Sequence, residues 1–195
     1  NAAFEYERPR KGNWAYEFEV DAASGGLAGN DKVGYAIEFE PTYFISDALS
    51  LNAGFYADRT PDWLVWQHDN LIGSFDGREW HFDAGLDWSI GNRQELRVKL
   101  QTLAIDARAQ QAWRIDASGN AVPVDEPIED FSVRNLGFQI RYRYELAPLS
   151  YLYVVYARGG FEQGIGGGGA DEALLDSFDL RQDEQLMVKF SYRFE

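Results

Sequence analysis

The residues best spaced for chemistry centre on His81, which stands between Glu79 and Asp83 at alternate positions. On an extended strand such a triplet shares one face and offers the nitrogen and oxygen donors that a divalent metal takes. A plain polar lining has the same pattern, and no metal is assigned. Combined with Ser50 or Ser89, the same histidine would supply the base of a serine hydrolase acting on lipid, but nothing in the spacing selects either serine. The run GIGGGGAD (164–171) lacks a following Lys-Ser/Thr and a flanking helical pattern, so it reads as a loop rather than a phosphate cradle. The acidic stretch VDEPIED (124–130) offers oxygens that could hold calcium only weakly, and a solvated loop is the better account of it. No catalytic residue and no cofactor is assigned.

Most charged side chains fall instead into rows. Glu5, Glu7, Glu17, Glu19, Glu38, Glu40, Asp58, Asp83 and Asp87 occupy the polar positions of the first five strand-like segments. Arg97, Lys99, Arg141, Arg143, Lys189 and Arg193 occupy those of the later ones. An acidic wall facing a basic wall across a water-filled lumen sets up a transverse field that filters ions and orients dipolar solutes. Salt-bridge ladders that merely stiffen neighbouring strands are the other account of the same rows.

What positions these rows is a period of two, found along nearly the whole chain, with helical periodicity hard to find. Trp14, Tyr16 and Phe18 oppose Glu17 and Glu19; Trp80, Phe82 and Trp88 oppose His81, Asp83 and Asp87; Phe190, Tyr192 and Phe194 oppose Lys189 and Arg193. Similar alternation marks 1–8, 32–45, 49–58, 94–102 and 135–146, while YLYVVYARG (151–159) is apolar on both faces. The total is nine or ten strands, each near the roughly 9–11 residues of a tilted membrane-crossing strand. Short turns at 8–13, 46–48, 91–93 and 147–150 alternate with long connections near 21–31, 59–77, 116–130 and 160–183. The segment 59–70 reads either as part of such a loop, as a further strand, or as the rim of an extended hairpin.

Composition narrows the class. The chain has 195 residues, no cysteine, a net charge of −14 and 15% aromatic residues. The negative charge argues against nucleic acid as a partner, and the missing cysteines exclude a disulfide scaffold. Aromatic-rich strands exclude disorder, and no run approaches the roughly 18 apolar residues of a spanning helix. A soluble barrel or sandwich would turn the apolar rows inward, yet a finite interior rations large rings. Rows ending in Trp, Tyr and Phe fit the aromatic girdles of a bilayer instead. The expected fold is therefore an all-β, antiparallel transmembrane barrel, with these aromatic side chains facing lipid and lipopolysaccharide. Since such barrels have even strand numbers, nine strands imply the C-terminal part of a larger barrel, completed by further strands or preceded by an N-terminal domain.

The closing stretch LMVKFSYRFE (186–195) resembles the C-terminal signature of bacterial outer-membrane proteins, in which a terminal Phe follows aromatic or aliphatic residues at alternate positions. Leu186, Val188, Phe190, Tyr192 and Phe194 match it, and Glu195 departs from it. The resemblance implies an outer-membrane location and recognition by the barrel-assembly machinery. The segment 138–159 resembles the penultimate hairpin of large outer-membrane proteins that join a family-9-like carbohydrate-binding domain to a C-terminal barrel. Three functions follow as expectations: a channel or transporter for small polar or charged solutes, an anchoring barrel with a plugged lumen that presents a glycan- or partner-binding module, and an outer-membrane enzyme acting on lipid. The first is the principal expectation, and the chain is not expected to be an enzyme.

Overall fold

The computed structural model describes residues 1–24 and 32–194. Glu195 and most of the connection expected at 21–31 lie outside the described residues. Among the described residues the chain is all-β apart from one short helix, and the ten strands join one antiparallel sheet. Nine form a continuous path: β1 (Ala2–Lys11), β2 (Trp14–Ser24), β3 (Val33–Ser46), β4 (Leu49–His68), β5 (Leu71–Ile90), β6 (Gln94–Ile115), β8 (Phe131–Ala147), β9 (Ser150–Ile165) and β10 (Asp183–Ser191). The four-residue β7 (Ala121–Val124) pairs with the far end of β6. Among the described residues β1 and β10 pair only with β2 and β9, so the sheet is not closed into a barrel. Because every neighbour is antiparallel, the two edge strands run in the same direction.

Tight turns lie at one end of the sheet, at 12–13, 47–48, 91–93 and 148–149. Gly12 and Gly91 take positive φ there (68° and 61°), where a Cβ would be strained. At the other end three expected loops are partly regular structure. The region 59–77 is the extended hairpin: β4 and β5 pair from Leu49 and Trp88 up to His68 and Leu71, leaving only Asp69 and Asn70 as connection. The 116–130 connection contains β7. The glycine-rich loop, expected to lack a flanking helix, leads into α1 (Ala170–Ser177).

The register gathers the apolar rows on one face. Phe18 opposes Phe39, Phe39 opposes Phe55, Phe55 opposes Phe82, and the row continues through Thr102 and Leu136. On β4, β5, β6 and β8 this apolar band occupies 49–57, 80–88, 96–104 and 136–144, about nine residues each and close to the length that crosses hydrocarbon. Much of it is uncovered: Phe39 is 41% exposed, Val188 63% and Phe190 63%. Helix α1 covers one patch, burying Ala173 and Leu174 against Ala104, Trp80 and Phe82, with Ser177 Oγ bonded to Thr102 Oγ1 and Phe178 against Phe82. Trp80 and Phe82, expected to face lipid, are thus shared with the helix. Helix α1 and the residues flanking it are tied down by Asp106, which accepts the Gly167 N–H at 2.7 Å, by Arg134 on Asp176, and by Arg158 on the carbonyls of Phe178 and Leu180.

Beyond the band the two faces exchange character. The apolar face becomes charged at Arg59, Arg78 and Asp106, which oppose one another on β4, β5 and β6. The other face, polar below, here buries Leu71, Phe75, Ala107 and Ala112. Phe131 joins this rim core, its ring 5.3 Å from Phe75 and 5.7 Å from Trp63. Gly77 is needed there because a Cβ would fall 2.9 Å from the Trp63 ring. Phe75 is fully buried, so Phe75→Ala should cost about 3–5 kcal/mol. A lowered unfolding midpoint, with faster amide exchange concentrated in 60–76, would be the expected readout.

Candidate functional site

The polar face of the band carries the two charged walls. On β1, β2 and β3, Glu5 opposes Glu19 and Glu19 opposes Glu38; one step along, Glu7 opposes Glu17 and Glu17 opposes Glu40. These six carboxylates form a two-by-three grid, and none makes an ion pair with a Lys or Arg among the described residues. Directly opposed like charges destabilise a sheet, so the grid is carried at a cost. Asp58 and Asp83 continue the acidic surface on β4 and β5. Asp83 lies over Gly54, where a Cβ would sit 2.2 Å from its Oδ1, and Asn52 similarly fills the space over Gly85.

The basic wall is organised around Glu95. Its carboxylate pairs with Arg97, with Arg143 at 2.9 Å and with Arg141 at 3.8 Å, and Arg97 also reaches Asp87 at 3.1 Å. Asp87, expected in the acidic wall, is therefore part of the basic cluster. Pairing settles the two-sided apolar segment 151–159. Leu152, Val154 and Tyr156 join the apolar band, while Tyr151 and Tyr153 turn to the polar face. There the Arg143 guanidinium stands 5.5 Å from the Tyr151 ring centre and the Lys189 ammonium 6.0 Å from that of Tyr153, cation–π contacts that hold both charges on the wall. Lys99, Gln101, Gly137, Gln139, Ala157 and Gln185 line a groove of about 690 Å³ on this side. Arg193 lies past the end of β10, its N–H bonded to Ser150 Oγ at 3.1 Å. Phe190 and Tyr192 stack with ring centres 6.1 Å apart, and Tyr192 contacts Phe194.

The other candidates disperse. His81 Nε2 lies 2.5 Å from Glu79 Oε1 and its ring packs edge-on against Tyr56, while Asp83 is turned over Gly54. Ser50 opposes Asp87 whereas His81 opposes Tyr56. That is roughly 20 Å along the strand, too far for a serine–histidine pair, and Ser89 is further still. In the acidic stretch, Glu126 makes a two-pronged pair with Arg114, which holds its carboxyl below the usual glutamate range, and Asp130 accepts the Ala109 N–H. These oxygens fasten the 121–130 segment to β6. The glycine-rich loop spends the Gly167 N–H on Asp106, a carboxylate of the chain itself.

Sequence reasoning left Glu95 among the ordinary polar positions, and only the β6–β8 register reveals it as the hub. Comparisons of the chain with family models, with curated proteins and with solved structures found no match. The acidic grid makes its own prediction. Glu19 sits between Glu5 and Glu38, so Glu19→Gln should raise the melting temperature at low ionic strength, and the gain should fade in 0.5 to 1 M salt as the Debye length falls to about 3 Å. Thermal melts followed by far-ultraviolet circular dichroism would check it; an equal gain at every salt concentration would disprove the repulsion.

Proposed function

We propose that the chain forms a large part of the wall of a bacterial outer-membrane β-barrel, acting as a channel or transporter for small polar or charged solutes. The exchange of faces supports this reading best. Over about nine residues per strand the sheet turns its large apolar side chains out to an uncovered face and its charges to the other, an arrangement suited to hydrocarbon outside and water within. Past the Arg59, Arg78 and Asp106 row the hairpin reverts to the pattern of a protein in water, with apolar residues packed and charges outside. The alternation of tight turns with long connections fits the periplasmic and extracellular ends of such a barrel.

In that setting the two edges need partners. Since β1 and β10 run the same way, closure with antiparallel pairs takes an odd number of additional strands. The acidic grid near one edge and the Glu95-centred basic cluster toward the other would then line a common lumen. Cations and anions would follow different sides of it, and dipolar solutes would be oriented between them.

The rim core favours a second reading. Trp63, Phe75 and Phe131 lie on the lumen side of the band's upper edge, where they would narrow the mouth of the barrel. A barrel plugged there would act as an anchor presenting a glycan- or partner-binding module. Conductance in planar bilayers separates the two. An open lumen predicts discrete conductance, with Arg141→Glu and Arg143→Glu together moving the reversal potential toward cation preference. A folded, inserted protein without conductance would support the anchor.

A further inference from the structure

Three arginines sit on the apolar face at its upper boundary, on neighbouring strands. Arg59 on β4 directly opposes Arg78 on β5, and Arg108 on β6 opposes Asp76, one step further along. Two of them are committed to carboxylates. Asp76 holds Arg59 in a two-pronged pair, with its oxygens 2.9 and 3.1 Å from Nε and Nη2. Arg108 reaches Asp106 at 3.4 Å. Arg78 differs from both. The carboxylate across the sheet from it is Asp106, but that group is 1% exposed and is occupied by the Gly167 N–H and Arg108. Arg78 is exposed and makes no ion pair among the described residues. Two guanidinium groups opposite each other, one of them without an ion pair of its own, are unfavourable for the sheet, in a chain that carries 32 acidic residues against 18 basic ones.

Immediately below this cluster lies an apolar floor. Trp80 follows Arg78 on the same face, its ring edge-on to Phe55 at 5.6 Å, and Ala57 opposes Trp80 beside them. Arginine above and aromatic rings below reproduce the two halves of an amphiphile, a phosphate that takes planar multidentate donors and a chain that takes apolar contact. Taking the band to lie in hydrocarbon, as proposed above, we propose that Arg59, Arg78 and Arg108 bind the phosphate of a phosphorylated membrane-lipid headgroup, whose acyl chains lie along Phe55, Ala57 and the part of the half-buried Trp80 that α1 leaves uncovered. Arg78 supplies the free donors. Arg59, fixed by Asp76, and the exposed Arg108 add charge on either side.

The test uses the 195-residue chain folded in an uncharged detergent and titrated with a glucosamine-based lipid carrying phosphate, the same lipid dephosphorylated, and inorganic phosphate. Binding is read by native mass spectrometry and by the shift in melting temperature. The phosphorylated lipid should bind and stabilise, and Arg78→Gln should weaken it about tenfold, the loss of one charge-assisted contact. Arg78→Lys should retain part of the affinity, and the dephosphorylated lipid should be indifferent to both substitutions. Equal binding of the two lipids, or an unchanged affinity in Arg78→Gln, would overturn the site. Stabilisation by inorganic phosphate alone at the same concentrations would overturn it too, since the acyl floor would then play no part. Flotation with vesicles of uncharged lipid keeps the two readings apart: a chain that stays out of the vesicles removes the membrane wall and this site together, whereas one that inserts without phosphate preference removes the site alone.

Discussion

A slip of one residue between any two neighbouring strands would turn every side chain of the slipped strand to the opposite face. Everything else in the molecule depends on that not happening across the nine-strand path. The register irregularities of the long strands lie between Phe44 and Ser46, Thr60 and Trp63, Trp66 and His68, Ser74 and Phe75, and Glu145 and Ala147. All fall outside the apolar band, at the turns or at the rim. Within the band the register does not shift, so one face remains apolar from Phe4 to Val188 and the other keeps its charges. The bulges are placed where a change of face or direction is wanted.

Two of those bulges mark the exchange of faces. Past Thr60 and Ser74 the hairpin leaves the band and builds a small core of Leu71, Phe75, Ala107, Trp63 and Phe131 on the side that is polar below. The charged row at the boundary serves both zones. Asp106, Arg134 and Arg158 hold the 166–182 connection across the apolar face, and α1 takes over the cover of Ala104, Trp80 and Phe82 at the top of the band. The mean hydropathy of −0.41 is what a sheet with one uncovered apolar face and one charged face averages to; neither face alone is ambiguous.

The strands of the band were legible because a period of two is a direct readout of side-chain direction. All nine expected segments reappear as strands in the same order, the last ending at Ser191 short of Tyr192, Arg193 and Phe194, and within the strands the side chains alternate between the two faces, from Glu17 and Phe18 to Lys189 and Phe190. Legibility stopped where the period breaks. The bulges after Thr60 and Trp66 shift parity on β4, which made 59–77 look like a loop with a doubtful strand in it. The eight-residue helix hides behind glycines and has little amphipathic length of its own, since its burial comes from the sheet beneath it. The side chains of 151–159 had no unique face until Tyr151 and Tyr153 found Arg143 and Lys189. The grouping of Arg97, Arg141 and Arg143 on Glu95, and of Arg59 with Arg78, requires knowledge of which strands are neighbours, and spacing within a strand does not carry it.

The central claim is that the band's apolar face meets hydrocarbon and its other face meets water. The chain has no cysteine, so single cysteines at positions 96 to 100 can each carry a spin label uniquely after reconstitution into bilayers. Accessibility to oxygen, which concentrates in lipid, should be high at Leu96, Val98 and Leu100, and accessibility to a water-soluble nickel complex should be high at Arg97 and Lys99. An alternation of opposite phase, or water access at all five positions, would contradict the account.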